Sequence, residues 1–272
     1  MTEHFDACIA NAFRQTLGGF GVVYMLAFVL WCVSRKRRNY GAGVLGRTYC
    51  YLVAPGVAFH ELSHAIGCWL TFTRVHKIVL FEIKDGHLGY ITHSEPSGKI
   101  LGPIKNFIIA TGPVWMGCLA VVVFGRFLAG AGFLPDYNST FEGATPGIVE
   151  YALSVVLAAL DMFLSVICVW KWTSPLYLVA LYLFFCITSE IVLSDVDISH
   201  TWKGLLFIVV FIFAFNLLPG VNVYAVRLSD WAAQGIFAIH SALVFVLMVD
   251  VAFHLLFKLI SGIFLRRRFC CV

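Results

Sequence analysis

Val53-Ala54-Pro55-Gly56-Val57-Ala58-Phe59-His60-Glu61-Leu62-Ser63-His64-Ala65-Ile66-Gly67-Cys68-Trp69-Leu70-Thr71-Phe72 matches the roughly 20 apolar residues that carry a helix across a bilayer, yet polar groups interrupt its centre. His60, Glu61 and His64 form an H-E-x-x-H pattern. Residues four apart on a helix share a face, so two imidazoles can reach one metal ion while Glu61 sits beside it. Ionisable groups at membrane depth cost roughly 2.5 to 3.5 kcal/mol for a central charge on the insertion scale, so three in close succession need a compensating role. Hydrogen bonding between helices would account for one of them. A zinc site accounts for all three, because zinc lowers the pKa of water to about 7 and a carboxylate can take that proton and return it to a leaving group. The pattern predicts one Zn2+ per chain, His60 and His64 as ligands, and Glu61 as general base and then general acid.

The flanking sequence has the composition of a membrane protein. Of 272 residues, 60% are hydrophobic and 12% charged, far from soluble averages. Apolar runs near 18–33, 53–72, 103–128, 150–170, 175–193, 203–224 and 232–264 predict an all-α polytopic membrane protein with six or seven transmembrane helices, a single domain spanning residues 1–272. The last run is long enough to be tilted or broken. The net charge of +4 is concentrated in Arg35-Lys36-Arg37-Arg38 and Arg266-Arg267-Arg268. Each follows an apolar span and reads as a solvated positive-inside flank, not a nucleic-acid surface. With seven spans both runs fall on one side, which puts the basic C-terminus in the cytoplasm of a cell (inner) membrane. Five of the nine cysteines lie inside apolar spans and no C-x-x-C pair occurs, so they read as small apolar fillers instead of a disulfide framework. Cys270 and Cys271 follow the last arginines but do not form a C-a-a-X box.

Between the motif and the next span, residues 76–83 and 87–93 alternate like strands around Asp85-Gly86, a tight-turn signal. A short β-hairpin after the H-E-x-x-H helix is predicted. It either caps the bundle or offers an edge strand to an extended substrate. His87 and His93 read as surface residues of that hairpin.

The motif followed by Ala65, a strand-rich stretch, and Gly112-Pro113 in the next span resembles the site-2-protease-like intramembrane zinc metalloproteases over roughly residues 53–125. The resemblance implies a helical bundle with one catalytic zinc, lipid bilayer surroundings, and a membrane-protein substrate cut in or near its transmembrane segment. It also implies a third ligand, an Asp after an Asn-x-x-Pro helix. Asn216-Leu217-Leu218-Pro219 is present, but Asn222 and Tyr224 stand where Asp-Gly is expected, and the next acid is Asp230. Leu70 occupies the position of a third His in metzincins, which excludes that family.

A catalytic zinc takes three protein ligands. Ser194-Asp195-Val196-Asp197-Ile198-Ser199-His200 is the densest donor cluster outside the motif. By parity it enters from the side where the motif helix starts, with Pro55 read as a first-turn residue roughly 10 Å from the motif. The stretch from Ser189 to Ser194 is also similar to what a divergent prokaryotic branch of the superfamily carries before a helix. Asp197 is the first choice of third ligand, with Asp230 and Asp195 as alternatives; against this, Ser194 and Asp197 are spaced as a helix capping box. Asp161, Glu190, His240, Asp250 and His254 are further intramembrane ionisable groups, expected to orient ligands or pair helices. The function these features predict is zinc-dependent intramembrane endoproteolysis. The alternatives are an ion or proton transporter, against which the lack of an internal repeat counts, and a non-proteolytic membrane scaffold.

Overall fold

A computed structural model of the chain describes residues 9, 12–83, 88–130, 133, 135–141, 146–168, 174–216 and 221–269. Side chains at 14, 15, 138, 221–232 and 264–269 lie outside the description. Helix α1 (Val22–Leu45) is entered through π-helical turns at Arg14–Gly21 and is followed by α2 (Arg47–Leu70). Strands β1 (Val75–Val79) and β2 (Tyr90–His93) precede α3 (Leu101–Ala110) and α4 (Gly112–Ala129). The chain continues through α5 (Tyr137–Phe141), α6 (Ile148–Cys168), α7 (Pro175–Ser189), α8 (Asp195–Asn216) and α9 (Val221–Phe269).

Thr16–Leu45, Gly112–Ala129, Ile148–Cys168, Asp195–Asn216 and Ala233–Ile263 are long and apolar enough to cross a membrane. The protein is an all-α, multi-pass integral membrane protein with a small hairpin. The motif helix α2, with 24 residues, is long enough as well. It falls outside that group of five because His60, Glu61 and His64 lower its apolarity. Helix α7 has 15 residues and stops at Ser189, where the chain turns into the non-helical segment 190–194. The run expected at 103–128 is two helices, broken at Thr111 with Pro113 in the first turn of α4. Pro55, read as a first-turn residue, lies inside α2. Helix α9 is one unbroken helix of 49 residues.

The main core lies between α1, α4, α6, α7 and α9, where Leu30, Val121, Met162, Phe184, Leu243 and Phe245 are buried. Helices α1 and α2 meet at Gly46, whose φ of 58° lies in the region glycine adopts without a Cβ clash. The hairpin pairs antiparallel with Ile78 opposite Ile91 and Val79 opposite Tyr90, and a register irregularity between Val75 and Lys77. Asp85-Gly86, His87, residues 217–220 and Cys270-Cys271 lie outside the described residues.

One expectation is corrected at the basic run. Arg35 and Lys36 are exposed, but helix α1 continues through them to Leu45 and turns Arg37 into the bundle, where it is 2% exposed. Four consecutive residues on a helix cover all of its faces, so one member of a charge run must face inward.

Candidate metal centre

The helical repeat sets His60 and His64 one turn apart on α2, with their rings edge to face at 4.8 Å. Each Nδ1 is held by a main-chain carbonyl: His60 Nδ1–H donates to Glu190 O (3.0 Å) and His64 Nδ1–H to Ile109 O (2.8 Å). A carbonyl only accepts, so both Nδ1 atoms carry a proton, and in a neutral ring the lone pair is then on Nε2. The two Nε2 atoms face each other at 3.1 Å.

The sequence explains why those carbonyls are available. In a continuous helix, Ile109 O would accept from the N–H of residue 113, but Pro113 has none. The α3–α4 break thus leaves an acceptor for His64. Close approach is permitted by two glycines: a Cβ on Gly112 would stand 2.7 Å from Ser63 O, and one on Gly67 would stand 2.9 Å from Ile109 Cα. At the other imidazole, Glu190 lies just past the end of α7, where its carbonyl also accepts from Val192 N–H (2.9 Å). Gly56, one turn before His60, makes room there: a Cβ would collide with Cys186 O and lie 2.9 Å from Glu190 Cγ.

Asp197 arrives from the first turn of α8. Its Oδ1 is 3.4 Å from His64 Nε2 and its Oδ2 is 3.8 Å from His60 Nε2. The capping box is formed too: Ser194 N–H donates to Asp197 Oδ2 (2.8 Å), and Asp197 N–H donates to Ser194 Oγ (3.2 Å). Capping therefore does not compete with facing the imidazoles; it fixes the carboxylate's direction.

His60, His64 and Asp197 are the one group of three or more His, Cys, Asp or Glu close enough to share an ion among the described residues. Their fit to a cation can be tested on the donor spacings. Facing lone pairs repel unless a proton or a metal ion lies between them, and Asp197 sets a negative donor beside both nitrogens. Zinc ligand bonds near 2.0 to 2.1 Å in a tetrahedron give donor-to-donor edges of about 3.3 Å. The 3.1 Å between the two Nε2 atoms and the 3.4 Å from His64 Nε2 to Asp197 Oδ1 lie near that value, the 3.8 Å from His60 Nε2 runs to the other carboxylate oxygen, and one donor atom from each residue lies within 4.8 Å of the others. The donor set of two neutral imidazoles and a carboxylate is also one zinc accepts at catalytic sites. The residues fit a divalent metal ion.

Glu61 is half-buried on α2, beside the pair. The hairpin covers it: a Cβ on Gly89 would lie 2.9 Å from Glu61 Cγ and 3.0 Å from the carbonyls of Val79 and Leu80.

The other predicted donors are elsewhere. Asp195 Oδ1 accepts from Trp31 Nε1–H (2.7 Å) on α1. The Asp230 side chain lies outside the described residues. His240 pairs with Tyr151 Oη (2.9 Å) and Gly19 O (3.3 Å), His254 packs edge-on against Tyr40, and Asp161 is exposed on α6. His93 Nδ1–H donates to Ser94 O (2.9 Å) within the hairpin.

Two carbonyls and one cation were missed by sequence reasoning. Ile109 O was signalled only by Pro113 four residues on. Glu190 entered only as an ionisable group, and Arg37 as a flank. Comparison of the chain with protein-family models, curated proteins and solved structures gave no match.

Proposed function

We propose that this chain is a zinc-dependent intramembrane endopeptidase, of the site-2-protease-like kind, that cleaves transmembrane or membrane-proximal segments of other membrane proteins. The observation that carries the reading is the convergence of three donors from two distant helices, with both imidazole tautomers set so that Nε2 faces Asp197. His60, His64 and Asp197 would hold the ion. When bound, zinc supplies Lewis acidity, polarising a carbonyl and acidifying a water.

The chain's own residues would do the rest. Glu61 takes the proton of the attacking water on a carboxylate oxygen as the water oxygen bonds to the scissile carbonyl carbon. It then delivers that proton to the amide nitrogen as the C–N bond breaks, and the second proton of the water passes to the amine as the new acid ionises, so the products are a carboxylate and an ammonium. The hydrogen bonds at Nδ1 keep both rings neutral and oriented. A helical substrate hides its carbonyls in its own hydrogen bonds, so it must unwind to react. The hairpin over Glu61 supports a role in holding the unwound segment as an added strand. Exposed Arg35 and Lys36, with Arg266-Arg267-Arg268, support a cytoplasmic C-terminus in a cell membrane.

The test is reconstitution of the full chain in liposomes with a single-span reporter, with zinc measured by mass spectrometry. The expected result is one zinc per chain, and cleavage that falls about 10²- to 10⁴-fold in Glu61→Gln, the range general-base removal spans. Undiminished cleavage in that variant sinks the mechanism. Metal-stimulated ion flux without cleavage would favour a transporter.

A further inference from the structure

We infer that Arg37 is a positioning residue for the metal site, acting through the Glu190 main chain on His60; this rests on the metal-centre reading above. Arg37 is buried where α1, α2, α7 and α9 meet, hydrogen-bonded through both Nη groups and ion-paired through Nε. Nη1–H donates to Tyr49 Oη (2.6 Å) on α2, and Nε is 2.9 Å from Asp250 Oδ1 on α9. Nη2–H donates to Ser189 O and to Glu190 Oε1 (3.2 Å). Arg38 Nη1 approaches Glu190 Oε2 at 3.9 Å. Two arginines thus balance two acids, Glu190 at 7% and Asp250 at 0% exposure.

The geometry around residue 190 turns this charge cluster into a control on His60. Arg37 holds both the carbonyl before Glu190 and the side chain of Glu190, while the Glu190 stem fills the notch left by Gly56. With the preceding carbonyl and the side chain both held, little rotation is left to the Glu190 carbonyl, the group that accepts from His60 Nδ1–H. Groups that hold a metal-binding His by its second nitrogen set its ring orientation and its basicity. A guanidinium can span four partners because its donors are fixed in a plane, whereas a lysine ammonium is a single point on a flexible stem.

The experiment measures Zn2+ and Co2+ affinity, and the visible absorption of the Co2+ form, for the full chain in detergent. Four proteins are compared: wild type, Arg37→Lys, the neutral triple variant Arg37→Met with Glu190→Gln and Asp250→Asn, and Met162→Ala. The triple variant leaves no lone buried charge, so it serves if the single variant fails to fold. Met162→Ala removes core packing on α6, away from the network, and controls for lost stability.

Arg37→Lys and the triple variant are expected to bind Zn2+ about 10- to 100-fold more weakly, the usual effect of removing such support, with a shifted Co2+ spectrum. Met162→Ala is expected to melt earlier yet bind as wild type. Wild-type affinity and an unchanged Co2+ spectrum in both network variants overturn the inference while leaving the metal centre standing. An equal loss of affinity in Met162→Ala overturns it as well, by reducing the effect to general destabilisation. A wild-type chain that binds neither ion overturns the metal-centre reading itself.

Discussion

At the scale of single residues, two aspartates two positions apart have separate fates. Asp197 faces the imidazoles, whereas Asp195 accepts from Trp31 on α1. Asp197→Asn is therefore expected to bring bound zinc well below one per chain and to abolish cleavage, while Asp195→Asn keeps both. Metal analysis of the two purified variants checks this, and equal loss in both would mean that the first turn of α8 matters only as a unit. Gly89 is a second discriminating position. A valine there would crowd Glu61 Cγ and two hairpin carbonyls, and displacement of a reacting group by about 1 Å can cost about 10²-fold. Gly89→Val is expected to lose activity at that order with zinc retained. The sequence shows the H-E-x-x-H pair directly, because a metal site built on one helix is encoded in spacing and side-chain identity. Asp197 was legible as a donor near a helix start, though only contact with α2 separates it from Asp195. Carbonyl ligands to the ring nitrogens have no side-chain signature, so Ile109 and Glu190 were not legible as supports. Arg37 was read as solvated because a run of like charges looks the same whichever member the helical phase turns inward.

At the scale of elements, the break between α3 and α4 does chemical work. Pro113→Ala restores an N–H four residues after Ile109, which would compete for the carbonyl that holds His64. The expected outcome is zinc affinity lowered about 10-fold or more, with helix content unchanged by circular dichroism. Unaltered affinity would show that the break serves packing alone. The cap of α8 makes a parallel case. Ser194→Ala removes the acceptor for Asp197 N–H and should destabilise that helix start by about 0.5–2 kcal/mol, a cost read from thermal melts with zinc present and absent. The two strands of the hairpin were legible because strand periodicity belongs to the local sequence, though they are shorter (Val75–Val79 and Tyr90–His93) than the runs 76–83 and 87–93, and the Asp85-Gly86 turn lies outside the described residues. The split of the 103–128 run was not read: Gly-Pro is common within membrane helices, and here packing of Gly112 against Ser63 favours the break.

At the scale of the whole molecule, α8 is the least buried of the five spans, with 11% of its apolar window inside the protein. It packs along α3, where Gly204 lies against Phe107, and reaches the motif helix through Asp197. An ion shared by α2 and α8 would tie this peripheral helix to the bundle. Zinc at 100 times its dissociation constant is expected to add about 2.7 kcal/mol of stability, lost on chelation. The measurement is hydrogen exchange, which should rise in residues 195–216 on chelator addition and should not respond to chelator in Asp197→Ala. The multi-pass class was plain from composition, since only lipid-facing helices tolerate so many exposed apolar residues. The span count was less so, because hydropathy does not see where α7 stops.

Anchoring the rings on amide oxygens has an evolutionary consequence. Any residue contributes the same carbonyl, so position 109 is free to drift among apolar types, whereas the interval from 109 to 113 is not free to lengthen. Ile109→Val or Ile109→Leu should be nearly silent, and insertion of one residue within that interval should be null. A lineage under such a constraint conserves distances along the chain more faithfully than letters.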